Sequence, residues 1–417
     1  MTRRIEWPRN DYSRIPYWVY HDADLYAEEQ AKIFRGPTWS YLCMAAEIPA
    51  AGDFRTTWQG DTPVLVNRDD GGDVHAFVNR CAHRGAIVRR EAHGNAADHT
   101  CIYHRWCYSR QGDLVGVPFQ RGVRGQGGMT ADFDKAGHGL RKLHVAVHRD
   151  LVFGSFSDQV EPIEDYLGPL LTTHLASMMQ RPIEVLGYHR QSIDGNWKLY
   201  AENLRDTYHA SLLHEFLVTF GLDRATQKGG VRMDARHRHN LTFAVAGSDS
   251  SAEATSAYDA NNLRADKLTL SAPGLLTFHP EFPDDHSLSI SSMFPNVAFQ
   301  RLNNSLATRQ IQPKGVDRFV LIWTFFGYRD DTPALRAHRL RQMNLLGPGG
   351  FVSMEDAEAI EIAQRASRSD CDKFAVIEVG GAGEISDRDY RVTDVSLRGF
   401  WSYYAELMGC EPTGAIR

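Results

Sequence analysis

At 417 residues the chain is long enough to bury two cores of ordinary domain size, and its 42% hydrophobic and 24% charged residues are those of a globular protein. A net charge of -6 argues against a nucleic-acid partner, which would call for a basic balance. No apolar run has signal-peptide or bilayer-spanning length, so no membrane is expected and the expected location is cytoplasmic. Six cysteines, mostly scattered, do not make a disulfide framework.

In chain order, residues 21–35 (HDADLYAEEQAKIFR) carry helical apolar spacing, and residues 1–37 are expected to form an N-terminal helical segment packing on the later domain. From 38 to 160 the texture changes to short β-type runs such as TPVLVNR, DVHAFVNR and LHVAVHRDLVFGSF, cut by Gly- and Asp-rich turns. That predicts a small, mostly β domain. EDYLGPLLTTHLASMM then reads as a helix leaving it. The third region, 161–417, mixes strands (IEVLGYHRQSI, SLSISSMF, ATRQIQP, FVLIWTFFGY) with helices around 197–218, 333–345, 354–366 and 393–408. Strands and helices without βαβ alternation predict an α+β domain around an antiparallel sheet. The polar stretch 246–262, GSDSSAEATSAYDANNL, reads as a loop.

Two constellations carry chemistry. In CAHRGAIVRREAHGNAADHTCIYHRW, Cys81-x-His83 and Cys101-x2-His104 are mixed limbs, one thiol and one imidazole on each loop. Structural zinc usually pairs like with like on a limb. A [2Fe–2S] cluster with two thiolates on one iron and two imidazoles on the other requires the mixed arrangement, so it is preferred to zinc. Gly85 permits a tight turn, and Trp106 is a bulky cover.

Further on, NWKLYAENLRDTYHASLLH holds His209 and His214, five apart and so about 140° around an ideal helix. They can converge on one ion only if the helix ends or distorts between them. Asp206, one turn before His209, could accept its second ring N–H. A third donor is available after the break at 347–350, where Ser353 is a plausible N-cap and Asp356 stands where a capping box would put an acid. Capping alone could account for that acid. Two histidines with one carboxylate also make the facial set that leaves positions open for dioxygen on Fe(II).

With CAHRG, C-x2-H-x-W, NWK…EN…D-x2-H-x4-H and GPGGFVSMED all in place, the chain resembles, over essentially its whole length, the large (alpha) subunit of Rieske non-haem iron ring-hydroxylating oxygenases. The resemblance implies a Rieske domain and a catalytic domain with a large antiparallel sheet flanked by helices, a helix-grip-like arrangement. It assigns Cys81, His83, Cys101 and His104 to the [2Fe–2S] cluster and His209, His214 and Asp356 to a mononuclear Fe(II), with Asp356 favoured over Glu355. Asn203 is expected near that iron. Asp206 is expected to bridge His209 to His104 of an adjacent chain. Dioxygen is the implied cosubstrate, with electrons from a reductase or ferredoxin and ultimately from NAD(P)H. A small (beta) subunit in an α3β3 assembly is the implied partner, α3 being the alternative.

Segments such as GDFRTT, GQGGM and RQI-x-P are most similar to the anthranilate, salicylate and terephthalate oxygenase branch, which implies an aromatic carboxylate as substrate. Strand alternation in NSLATRQIQP puts Ser305, Ala307, Arg309 and Ile311 on one face, where Arg309 could grip a carboxylate with two hydrogen bonds. Arg398, by resemblance to terephthalate-type enzymes, is a second substrate-facing candidate. The alternatives are an oxygenase of the same family acting on an uncharged arene and a Rieske electron carrier, which would need only the small β domain.

Overall fold

The computed structural model describes residues 5–248, 251–261, 263 and 268–412. Two compact units emerge: Phe34–Ile163, and a second assembled from Met1–Ile33 together with Glu164–Arg417.

The Phe34–Ile163 unit is built from short antiparallel strands. Its four-stranded sheet runs in the order Val74–Val78, Thr62–Arg68, Asp53–Gln59, His93–Asn95. The two-residue link Gly60–Asp61 turns the central hairpin, and Gly60 takes the positive φ of 57° that such a turn demands. Thr62–Arg68 is buried on both sides, as its run of apolar residues dictates. Val64 and Val66 pack with Leu42, Cys43 and Val152, whereas Leu65, on the opposite face, joins Phe54, Phe77, Trp106 and Tyr108. The second of these cores carries Cys81 and Cys101.

The larger unit is organised by a seven-stranded antiparallel sheet. Its strands are β1 (Ile183–Ile193), β2 (Gly229–Met233), β3 (Asn240–Val245), β4 (His286–Met293), β5 (Val297–Leu302), β6 (Ser305–Pro313) and β7 (Phe319–Tyr328), in the spatial order β1-β7-β6-β5-β4-β3-β2. Helix α1 (Ala23–Glu29) precedes the inserted unit, and α2 (Ile163–Met178) follows it. Helix α2 lies across one sheet face, where His174 contacts the hydroxyls of Ser291 at 2.8 Å and Ser289 at 3.0 Å. On the other face lie α3 (Trp197–Asn203) and α7 (Phe351–Ser367), with Ser353 of α7 donating to Gln191 of β1 at 2.9 Å. Two longer helices of the unit are α6 (Pro333–Leu346) and α8 (Val395–Met408).

Segments far apart in sequence meet in this unit. Glu29 of α1 is fully buried and accepts from Lys198 Nζ at 2.5 Å, Trp197 Nε1 at 2.7 Å and the Tyr404 hydroxyl at 2.6 Å. The 3.6-residue spacing read in residues 21–35 is thus that of a helix whose buried face includes an acid with three partners.

Two expectations need correction. The single helix over 197–218 is in fact α3 and two short turns, α4 (Ala210–Leu213) and α5 (Glu215–Thr219). The stretch 246–262 is not simply a loop, because Ser251–Asp259 is helical; its Ala and Glu content outweighs its polarity. Residues 249, 250 and 262 of that stretch lie outside the described ones. Among the described residues, no helix is long and apolar enough to cross a membrane.

Candidate functional site

The two Cys/His limbs fold into twin loops. In the first, Cys81 N–H donates to Ala86 O (2.8 Å) and Gly85 N–H returns to Cys81 O (2.9 Å). In the second, Cys101 N–H donates to Trp106 O (2.8 Å) and Arg105 N–H returns to Cys101 O (3.0 Å). The fourth residue after each cysteine takes positive φ, Gly85 at 73° and Arg105 at 60°. Glycine does this without strain, whereas Arg105 bears a Cβ cost that the second loop's geometry imposes.

The loops sort their side chains by chemistry. Cys81 and Cys101 are both buried, and the Cys101 thiol is pushed up in pKa by burial and by the adjacent Cys81 sulfur. The imidazoles of His83 and His104 lie together, ring centroids 4.5 Å apart, with His83 stacked on Trp106 at 5.0 Å. His104 Nδ1 is buried without a hydrogen-bond partner. Two thiols side by side and two imidazoles side by side fit a [2Fe–2S] cluster with one sulfur-ligated and one nitrogen-ligated iron. The sequence reading missed Tyr108, whose hydroxyl stands 3.2 Å from Cys81 Sγ and accepts from Ala82 N–H at 3.0 Å. Alternation from Trp106, which also turns inward, was the available signal.

In the larger unit, the helix break anticipated between the histidines is present. Helix α4 ends at Leu213, and His214 sits at the joint with φ -90° and ψ 73° before α5 begins. This brings His209 and His214 to one side with Asp356, and one donor atom from each lies within 4.8 Å of the others. Asp356 Oδ1 is 3.3 Å from His209 Nε2 and 3.2 Å from His214 Nε2.

Each donor is held by a neighbour. Asn203 Nδ2 donates to Asp356 Oδ1 at 3.0 Å. Glu355 Oε2 lies 2.7 Å from His214 Nδ1, so this acid engages the ring atom away from the cluster while Asp356 points into it. Asp206 accepts the N–H groups of Tyr208 (2.7 Å) and His209 (3.2 Å) on Oδ1, capping the turn, and puts Oδ2 at 3.1 Å from His209 Nδ1. That last contact is an ion pair rather than an aligned hydrogen bond. Burial alone would depress the His209 pKa, but Asp206 and Asp356 together raise it to about 10. Burial works the other way on Asp356, and His209 and His214 override it to hold the carboxyl well below the usual range. Two imidazoles and a carboxylate converging in this way suit a divalent cation, which would take the place of the proton held at His209.

The capping role considered for Asp356 does not hold. Helix α7 begins two residues before Ser353, with Gly350 as its N-cap, and the Ser353 hydroxyl is spent on Gln191. Gly350 is needed there, since a Cβ would fall 1.9 Å from Leu345 O.

Arg309 lies on β6 opposite Trp323 of β7, its guanidinium 4.3 Å from the indole ring. It is 7% exposed, its Nε has no hydrogen-bond partner, and among the described residues it forms no ion pair. Tyr200 of α3 feels both groups: burial raises its pKa, the Arg309 charge lowers it and the Asp356 charge raises it. Arg398 is not brought to this place. It stands on α8 and donates to the carbonyls of Gly383 (2.6 Å) and Gly381 (3.1 Å), fixing the turn before that helix.

Comparison with known proteins matches a family model to each of the two regions that carry these residues. A model of the Rieske [2Fe-2S] domain matches residues 38–126, and a model of the ring hydroxylating alpha subunit (catalytic domain) matches residues 175–409. The chain is 47% identical to the anthranilate 1,2-dioxygenase large subunit of Burkholderia cepacia, covering 97% of this chain and 96% of that one. It is 46% identical to the terephthalate 1,2-dioxygenase terminal oxygenase component subunit alpha 2 of Comamonas sp, with 98% of each chain covered. It is 42% identical to the salicylate 5-hydroxylase large oxygenase component of Ralstonia sp, covering 97% and 96%. Among solved structures, naphthalene 1,2-dioxygenase from Rhodococcus sp. bound to indole shares the fold, with a TM-score of 0.76 at 23% identity over 96% of this chain and 95% of that one. With both domains matched in order and near-full-length relatives above 40% identity, the chain belongs to the large (alpha) subunits of the Rieske ring-hydroxylating oxygenases.

Proposed function

We propose that this chain is the large subunit of a terminal oxygenase that hydroxylates the ring of an aromatic carboxylate. The observation that carries the substrate class is Arg309: a buried guanidinium over an indole and, among the described residues, unmatched by any acid, on the sheet face that α3 and α7 cover. A buried cation without a counter-ion is costly, and a carboxylate ligand relieves that cost. Three relatives named for anthranilate, terephthalate and salicylate support the same class.

Cys81, His83, Cys101 and His104 would hold the [2Fe–2S] cluster, and His209, His214 and Asp356 the mononuclear iron. When bound, the cluster supplies single electrons and the iron supplies dioxygen activation. The chain's own residues do the rest. Asn203 steadies Asp356, Glu355 fixes the tautomer of His214, and Asp206 orients His209 while keeping charge at its Nδ1. Electrons come from a reductase or ferredoxin partner, and a beta subunit in an α3β3 assembly completes the enzyme. In that assembly Asp206 also reaches the cluster histidine of the adjacent alpha subunit.

Kinetics tests the substrate class. Arg309→Ala is expected to raise KM for the aromatic carboxylate roughly tenfold to a hundredfold, the worth of a buried charge-assisted contact of about 1.5–3 kcal/mol. Arg309→Lys recovers only part, because an ammonium lacks the planar two-point fork. Faster turnover of naphthalene than of any carboxylate would overturn the class.

Two further outcomes follow from the site. Asp206→Asn keeps the capping oxygen but loses the charge facing His209, so iron content and the cluster spectrum persist while turnover collapses. Wild-type turnover in that variant would remove Asp206 from the coupling. Tyr108→Phe deletes a hydroxyl beside the Cys81 sulfur, and the reduction potential of the cluster falls because the more negative reduced state loses a hydrogen bond. An unchanged midpoint in a redox titration would place that hydroxyl outside the cluster's influence.

A further inference from the structure

The sheet face that carries Arg309 holds more unpartnered polar groups than a packed interior tolerates. Reading the register across it, Arg309 of β6 stands opposite Ala298 of β5, which stands opposite Ser292 of β4 and then Asn240 of β3. In the neighbouring row, Ala307 stands opposite Gln300, then Ile290 and Thr242. Gln300 and Asn240 are buried with neither side-chain amide atom hydrogen-bonded, and the Ser292 and Thr242 hydroxyls are likewise without partners. Buried side-chain amides in native proteins are nearly always satisfied, so several orphans in adjacent rows mark a surface that expects a ligand.

Gln300 is the nearest of them to the arginine. As the diagonal neighbour of Arg309 across the β6–β5 ladder it lies roughly 7–8 Å away between Cα positions. The residues beside that diagonal, Ala298 and Ala307, are small, so no bulky side chain of the floor separates Gln300 from Arg309. Beyond Gln300 the same face turns apolar, with Leu288, Leu302 and Ala244 packed against Leu346 and Val352. The floor therefore grades from a cation through neutral hydrogen-bonding groups to hydrocarbon. No second cation stands on these rows among the described residues. Arg391, the buried arginine that enters from the 388–394 segment, is already paired with Asp223 at 2.7 Å.

We infer that Gln300 is a specificity-determining residue that reads a second, uncharged hydrogen-bonding substituent on the benzoate ring, an amine or a hydroxyl, while Arg309 holds the carboxylate. This rests on the carboxylate reading given above and adds to it. A primary amide suits the task, because its oxygen accepts from an amine and its nitrogen donates to a hydroxyl. A second carboxylate is discriminated against, since its charge would be desolvated opposite neutral groups.

The test is calorimetric titration of the anaerobic holoenzyme with benzoate, the three aminobenzoate isomers, the three hydroxybenzoate isomers and benzene-1,4-dicarboxylate. The best-bound amino and hydroxy isomers are expected to bind at least about tenfold tighter than benzoate, one hydrogen bond to a buried group being worth that much. Gln300→Leu and the shape-matched Gln300→Met both bring that ratio close to one, with thermal unfolding run alongside to verify the fold. A ratio unchanged in a folded variant overturns the inference, as does tightest binding of the dicarboxylate by the wild type. Arg309→Ala separates the two levels: it weakens every benzoate together if the carboxylate reading holds. If it weakens none, the carboxylate reading falls, and the Gln300 ratio still decides the role of Gln300.

Discussion

Asp356→Ala is expected to strip the mononuclear iron and abolish turnover while leaving the visible absorption of the cluster intact. The three donors lie on two separated segments, His209 and His214 around the α4–α5 joint and Asp356 on α7. Removing the carboxylate leaves two imidazoles, His214 buried and His209 half-buried, with His209 still paired to Asp206 and His214 still to Glu355. Two neutral ligands do not make up the facial set that ferrous iron needs. Glu355→Ala is the control, because this acid contacts Nδ1 of His214, the ring atom away from Asp356, and serves to orient it. Loss of such an outer partner typically lowers metal affinity about tenfold to a hundredfold, so excess iron rescues Glu355→Ala and not Asp356→Ala. Metal analysis with and without added ferrous ion distinguishes them. If Glu355→Ala proves the iron-free variant, the ligand moves by one residue.

The second large effect is on folding. Lys198→Ala is expected to destabilise the catalytic unit by about 3–5 kcal/mol, the cost of leaving a buried carboxylate unmatched. Lys198 and Glu29 are 1% and 0% exposed, so solvent does not screen the pair. Burial draws the lysine pKa down and Glu29 draws it back up, burial being the larger influence. Replacing both residues by apolar ones recovers only part of the loss, since Trp197 and Tyr404 would keep donors with no acceptor. Thermal unfolding followed by tryptophan fluorescence checks this, while cluster absorbance follows the Phe34–Ile163 unit separately. A variant that unfolds at the wild-type temperature would mean that water or another group satisfies Glu29.

What was legible in the sequence was local chemistry. Mixed Cys/His limbs required two similar loops, and the structure repeats one hydrogen-bond pattern in both. Alternation in NSLATRQIQP placed Arg309 on a sheet face with Ala307, as β6 does. The strands β2, β3 and β5 were not legible, because their inward positions are Gly229, Asn240, Thr242 and Gln300 rather than apolar residues. A site floor made of polar and small groups erases the period-two signal on which strand reading depends. The roles of Glu29 and Arg398 were hidden for a different reason. Their partners stand far along the chain or on backbone carbonyls, and no local pattern records either.

The meeting of residues so far apart in sequence at Glu29 has a consequence for biosynthesis. Glu29 leaves the ribosome long before Tyr404, which closes on it, whereas the whole Phe34–Ile163 unit is contiguous and can fold while the rest is still being made. During translation the N-terminal helix must wait, its acid exposed, for some 375 residues of intervening chain to emerge. A ribosome stalled before residue 395 would therefore present a finished cluster domain joined to a host that cannot close, and a nascent-chain protease should cut the second while sparing the first.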